Sequence, residues 1–267
     1  MRISFVSDVH GNIDGLAAVA RDAEMLVVLG DLLDYVDYHD PSAGILGEVF
    51  GEHRVREFTV LRSAGDFPAL HRLNTELWAT VADPVGTLEA VVERRYRQVL
   101  QALSLAATAP LLILGNTDVA DSWRRVAQDS IPDLDGRVVE LAGRRLGFVS
   151  GGASSLAGRP ATDSSKPWRP LVRPIEDYLA SVAAIGAVDV LCSHLPPRLA
   201  AVRYDTVPAR LEMFGPGLLE SIDTHRPLLS VFGHVHQPLT DRLRRGRTEC
   251  VNVGHFARRP QPYQIEW

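Results

Sequence analysis

The sequence predicts an α/β fold whose strands deliver a metal site, and three observations predict it. Six short apolar runs, rich in Val, Ile, Leu, Met, Phe and Cys, are each bounded by turn residues, the pattern of buried strands. Each run ends, within a residue or two, in Asp, Asn or His. Between the runs lie stretches with apolar residues three and four apart, the period of a helix packed on one face. In open α/β sheets ligands bind outside the carboxyl ends of strands. Carboxylates and imidazoles are therefore expected along one edge.

The first run, at 3–6, leads into Ser7-Asp8-Val9-His10, and Leu16, Val19 and Ala20 then predict a helix over 14–23. The second run, at 25–29, ends in Gly30-Asp31. Strand, helix and strand make a βαβ start. The third run, at 111–114 before Gly115-Asn116-Thr117-Asp118, comes so late that residues 35–109 far exceed one crossover helix. Within them Phe67, Leu70, Leu73, Leu77 and Val81 predict a helix over 66–82. Leu88, Val91, Val92, Val99 and Leu103 predict another over 87–106, with a break at Asp83-Pro84. A helical cap, a dimerisation arm and simple padding all fit this stretch.

From Gly151-Gly152 through Pro174 the chain is rich in Ser, Pro and Arg without apolar period, and it reads as a long loop. Short helices at 180–187 and 216–224 feed the runs at 188–192 and 228–232. These end in Ser193-His194 and Gly233-His234-Val235-His236, and the weaker run at 250–251 ends in Asn252-Val253-Gly254. No repeat or interdomain linker is visible. Residues 1–267 read as one domain with a mainly helical insertion at 35–109.

A net charge of −5 and a pI near 6.0 argue against a dedicated nucleic-acid binder. The arginines between Arg242 and Arg259 read as a solvated hairpin. Cys192 and Cys250 each sit in an apolar run, which suits buried free thiols and a cytoplasmic location. The chain runs directly into the Asp8/His10 motif, leaving no room for a signal peptide. No apolar stretch approaches the ~20 residues of a membrane span.

The chemistry lies in Asp8, His10, Asp31, Asn116, His194, His234 and His236. A hydrolytic metal centre needs several carboxylate and imidazole ligands, and open positions for water and substrate. Asp8 and His10, two apart at a strand end, can aim at one point. His234 and His236 repeat the device after a glycine, which lets the backbone approach closely. One Asp-x-His alone arises by chance; all these residues in order, each at a strand terminus, do not.

With these residues in view, the chain resembles the calcineurin-like metallophosphoesterase superfamily. The family's Asp-x-His, Gly-Asp-x-x-Asp, Gly-Asn-His-Asp/Glu, lone His and Gly-His-x-His blocks match Asp8-Val9-His10, Gly30-Asp31-Leu32-Leu33-Asp34, Gly115-Asn116-Thr117-Asp118, His194 and Gly233-His234-Val235-His236. The resemblance implies a four-layer αββα sandwich of two mixed sheets. It also implies two metal ions (Mn, Fe, Zn or Ni), one held by Asp8, His10, Asp31 and His236 and one by Asp31, Asn116, His194 and His234. Asp31 would bridge them. A metal-bridging hydroxide would attack phosphorus, and the candidate catalytic set is Asn116, His194, Asp34 and Asp118, the last two orienting ligands.

One position departs from the family pattern. Thr117 stands where many members have a histidine that assists the leaving group, and an aliphatic hydroxyl is too weak an acid to replace it. The expected function is a metal-dependent phosphodiesterase acting on small phosphodiesters. The alternatives are a phosphomonoesterase or nucleotidase, and a non-catalytic scaffold keeping the fold. Specificity is expected in the loops at 35–40, 153–174 and 198–215, and a homodimer through the insertion is a possible assembly.

Overall fold

The computed structural model of the protein describes residues 1–128, 130–154, 166–204 and 212–267. The runs of the sequence become strands of two mixed sheets. In the first, β1 (Arg2–Val6), β2 (Met25–Leu29) and β3 (Leu111–Ile113) lie parallel, and a C-terminal strand, β12 (Tyr263–Glu266), pairs antiparallel with β1. The second sheet holds β4 (Val138–Leu141), β5 (Arg144–Val149), β8 (Val190–Ser193), β9 (Leu229–Phe232), β10 (Arg242–Arg245) and β11 (Thr248–Asn252), in the order β10-β11-β9-β8-β5-β4. Its strands β5, β8, β9 and β11 run parallel. A separate two-residue pair, β6 (Gly152–Ala153) with β7 (Val172–Arg173), completes the set.

The period-two alternation of these strands explains why the runs are mostly apolar: both faces are buried, with Ser4 and Ser230 enclosed among them. Ile3, Phe5, Met25, Val27 and Leu29 meet Leu146, Phe148, Val190, Cys192 and Val231 between the sheets. Val6, Leu26 and Val28 face the other way, into a core with Leu16 of α1 (Ile13–Asp22), Val99 of α5 (Pro84–Leu103) and Trp123 of α6 (Ala120–Ala127). On the far side Leu191, Phe232 and Cys250 meet Val182 and Ile185 of α7 (Ile175–Ile185) and Ile222 of α8 (Leu218–His225). Three cores between four layers form the αββα sandwich. No helix among the described residues is long and apolar enough to cross a membrane.

The insertion comprises α2 (Gly44–Phe50), α3 (Glu52–Ser63), α4 (Phe67–Ala79) and α5. Asp66 and Asp83 cap α4 and α5 by accepting from Ala69 N at 3.0 Å and Gly86 N at 2.9 Å, with a proline in each first turn. That pairing of cap and proline is why Asp83-Pro84 separates two helices. Leu88, Val92, Tyr96, Val99 and Leu103 form one buried stripe along α5, each contributing roughly 1.5–3 kcal/mol by leaving water. So α5 belongs to the outer helical layer, packed on α1 and α6.

Other differences from the sequence reading have local causes. The hairpin β4–β5 and the strand β12 carry Glu140, Arg144, Arg145, Gln264 and Glu266, and these charged and polar residues hide the apolar alternation. Helix α7 starts at Ile175 rather than near 180 because its first turn holds Glu176 and Asp177, acids suited to a helix N-terminus. The stretch expected as a loop at 151–174 contains β6 and β7. Its residues 155–165, like 205–211 of the loop at 198–215, lie outside the described residues. The arginine-rich segment does form a hairpin, β10–β11, its charges taken up by Arg242–Glu249 and by Arg245–Asp223 at 2.6 Å.

Candidate metal centre

Every candidate ligand lies in the turn directly after a strand: Asp8 and His10 after β1, Asp31 after β2, Asn116 after β3, His194 after β8, His234 and His236 after β9. These are the carboxyl ends of parallel strands of both sheets. The turns are laced together by the backbone, with Asp8 N donating to Gly30 O at 3.0 Å, His10 N to Asp31 O at 2.9 Å and Gly233 N to His194 O at 3.1 Å. Asp8, His10, Asp31 and His234 all have positive φ, between 39° and 69°. Non-glycine residues avoid this region unless the surroundings impose it, and such strain gathers at functional sites.

Two groups of ligand atoms converge, Asp8 with His10 and His236, and Asp31 with His194 and His234, each within 4.8 Å of one another. Asn116 joins the second group, its Oδ1 lying 2.9 Å from His194 Nε2. Glycines permit the convergence. A Cβ on Gly233 would lie 1.9 Å from Ser7 Oγ and 2.4 Å from Asp8 Oδ2, and one on Gly115 would lie 2.1 Å from Asp31 Oδ1.

The protonation pattern is that of a ligand set. His10 Nδ1 and His194 Nδ1 each lie 2.8 Å from a backbone carbonyl, of Leu33 and Leu29. A carbonyl only accepts, so both Nδ1 atoms donate and each Nε2 is turned toward the centre. There His10 Nε2 lies 3.1 Å from His236 Nε2, an arrangement that needs a shared proton or a cation. Asp8 and Asp31 are buried, and among the described residues only histidines lie within ion-pair distance of them.

Burial pushes both carboxyls up, yet the neighbouring imidazoles, His236 for Asp8 and His194 for Asp31, hold them below the usual carboxylate range. Burial lowers His194, but Asp31 outweighs it and raises the ring to about 9. His234 is pushed down to about 4 by burial and by the charge of His194. Buried negative charge without a fixed cation is costly. Oxygen and imidazole donors of this kind fit borderline divalent metals.

Behind the ligands, Asp118 is fully buried and accepts from Leu32 N at 3.0 Å and Gly115 N at 2.8 Å. Burial, then the charge of Asp31, pushes its carboxyl up to about 7. It clamps the turns after β2 and β3 together. Asp34 lines the cavity and pairs with Arg95 at 2.6 Å; burial raises its carboxyl against the pull of that arginine. The last apolar run ends in Asn252, whose Nδ2 donates to Val235 O at 2.8 Å, bracing the backbone between His234 and His236, and whose Oδ1 accepts from Gly254 N at 2.9 Å.

The sequence reading missed Arg95 and Tyr96, neighbours on α5. The Tyr96 hydroxyl donates to Asp118 at 3.3 Å and accepts from Val119 N at 2.7 Å. Its only sequence signal was an aromatic on the apolar stripe. Tyr96→Phe should leave Val119 N unpaired and cost about 1–3 kcal/mol, a Tm loss of several degrees at this chain length. An unchanged melting curve would remove Tyr96 from the support of the site. His255 was also missed: its ring stacks on His236 with centroids 4.0 Å apart and 13° between planes. The Asn252-Val253-Gly254 ending just before it was the available clue.

The ligands open onto a cavity of about 950 Å³. Its walls include Tyr35, Tyr38, His39, Arg62 and Phe67 of the insertion, Trp168 and Tyr204 from later loops, and His255 and Arg258. Residues 1–238 match the family model of the calcineurin-like phosphoesterases. The chain belongs to that family. As a family member it is a metal-dependent phosphoester hydrolase by descent, and its two ligand groups suit that chemistry.

Solved structures with the same fold include a crystal structure of TT1561 of Thermus thermophilus, with a TM-score of 0.56 at 14% identity, covering 99% of this chain and 97% of that one. A second crystal structure has a TM-score of 0.55 at 15% identity, covering 96% of this chain and 91% of the other. No curated protein matches the sequence.

Proposed function

We propose that this phosphoesterase is a dinuclear phosphodiesterase of small phosphodiesters in which Asp31 is shared by both ions. The observation that carries this reading is the placement of the two Asp31 oxygens. Oδ1 is 3.4 Å from His194 Nε2 and Oδ2 is 3.7 Å from His10 Nε2, so each oxygen faces a different ligand group. Asp8, His10, Asp31 and His236 would hold one ion, and Asp31, Asn116, His194 and His234 the other. When bound, such ions neutralise phosphoryl charge and bring the pKa of a water toward neutrality.

The chain's own residues do the rest. Carbonyls of Leu33 and Leu29 fix the ligand tautomers, and Thr117 N donates to Asp31 Oδ1 at 2.8 Å, orienting the shared carboxylate. The Asn116 amide is a donor available to a phosphoryl oxygen. Asp34 and Asp118 hold the surrounding turns. The cavity, far larger than a phosphoryl group needs, supports a diester with a second arm, and Tyr35, Tyr38 and His39 support a capping role for the insertion. A cytoplasmic location is supported by Cys192 and Cys250, both free and buried.

Metal analysis joined to an ester panel tests the reading. The expected outcome is about two ions per chain, activity abolished by chelation, and a kcat/KM for bis(p-nitrophenyl) phosphate at least about tenfold above that for p-nitrophenyl phosphate, a difference of about 1.4 kcal/mol in barrier. A preference for the monoester would favour a nucleotidase. Full metal loading with no turnover of any ester would favour a scaffold.

A further inference from the structure

The cavity continues well beyond the ligand groups, and its outer part has a chemistry of its own. Arg62, in the last turn of α3, and Arg258, next to the His255 segment, both line it. Among the described residues neither guanidinium has a carboxylate partner. The acids on the same wall are engaged elsewhere: Asp34 with Arg95 at 2.6 Å, and Asp37 with the backbone N–H groups of His39 at 2.7 Å and Asp40 at 3.0 Å. A guanidinium in a cleft with no carboxylate partner, Arg62 here meeting the Tyr38 hydroxyl, offers a planar fork of donors that matches phosphate.

Arg62 is also held among rings. Its guanidinium carbon lies 5.2 Å from the centroid of Phe67, and Tyr38, 52% exposed, shares its wall. Across the cavity lining, Tyr35 stacks on Trp168 with centroids 4.3 Å apart. The Tyr35 hydroxyl is fixed by donating to Asn74 Oδ1 and accepting from Trp78 Nε1, each at 2.9 Å. A pinned aromatic pair is a ready stacking surface, because its rings lose little freedom when a planar group settles on them.

We infer that the insertion end of the cavity binds a nucleotide-type arm of the substrate, its planar base against the aromatic wall and a second phosphate on Arg62. The substrate class is then a phosphoester of a nucleoside diphosphate, with one phosphorus at the ligand groups and the other on the insertion. The inference rests on the phosphoesterase reading only for the reacting end. The second phosphate is what distinguishes it from a simple aryl or alkyl diester.

The test compares AMP with α,β-methylene ADP, which differ in the second phosphorus, by calorimetric titration of the Mn²⁺-loaded protein. Wild type should bind the diphosphate analogue about 10- to 100-fold more tightly, the worth of a charge-assisted hydrogen-bond pair. In Arg62→Ala that ratio should fall to near one, and Arg62→Lys, which keeps the charge but loses the fork, should lie between. Arg62 is an exposed helix-end residue, so both variants should melt with the wild type. Equal binding of the two nucleotides by wild type, or a ratio unchanged in Arg62→Ala, overturns the inference. Hydrolysis of bis(p-nitrophenyl) phosphate by wild type reports separately on the phosphoesterase reading, so the two cannot fail unnoticed together.

Discussion

Asp31→Ala should lose both metal ions together and lower kcat/KM by at least about 10³-fold, because ions contributing several kcal/mol of charge stabilisation leave at once. His10→Ala should weaken one ion and keep the other. The asymmetry follows from the structure: Asp31 Oδ1 and Oδ2 face His194 and His10 separately, whereas His10 offers one Nε2 to one group. The readout is metal per chain after gel filtration, with Asp31→Asn as the shape-preserving control. Its amide keeps an acceptor for Thr117 N, which donates to Asp31 Oδ1 at 2.8 Å, while removing the charge. Two ions retained per chain in Asp31→Ala would refute the shared-carboxylate assignment.

Loss of the leaving-group acid should give the second large effect. In the structure the Thr117 hydroxyl is 3.2 Å from Leu33 O and donates to it, so its proton is already committed. General acid catalysis is typically worth 10²–10⁴-fold, and its absence should make the rate depend steeply on how well the leaving group carries negative charge. Aryl phosphodiesters should far outrun alkyl ones. Thr117→His should flatten that dependence, raising the rates of poor leaving groups most. A dependence as shallow in wild type as in Thr117→His would assign the proton to another residue of the cavity, such as His39.

The order of amino acids was enough to specify the main strands, the candidate ligands that follow them and the family. Strands buried on both faces are mostly apolar, so β1, β2, β8 and β9 appeared as apolar runs despite the buried Ser4 and Ser230, and the polar residue that ended each run had a position fixed by the run itself. Helices α1, α4 and α5 were equally legible, since their buried stripes repeat at three and four and Asp83-Pro84 marks a boundary. The edge strands β4 and β12 were not legible, because charged residues such as Glu140 and Glu266 interrupt their apolar alternation.

What surrounds the ligands emerged only from the packing of the layers. Tyr96 reaches Asp118 and Arg95 reaches Asp34 across 22 and 61 positions of sequence, and no local period records such a pairing. His255 reaches His236 from the segment after β11, and Arg62 reaches the cavity because α3 ends at its rim. Periodicity encodes which face of an element is buried. Which distant side chain meets it depends on how the layers pack, and no local period records that packing.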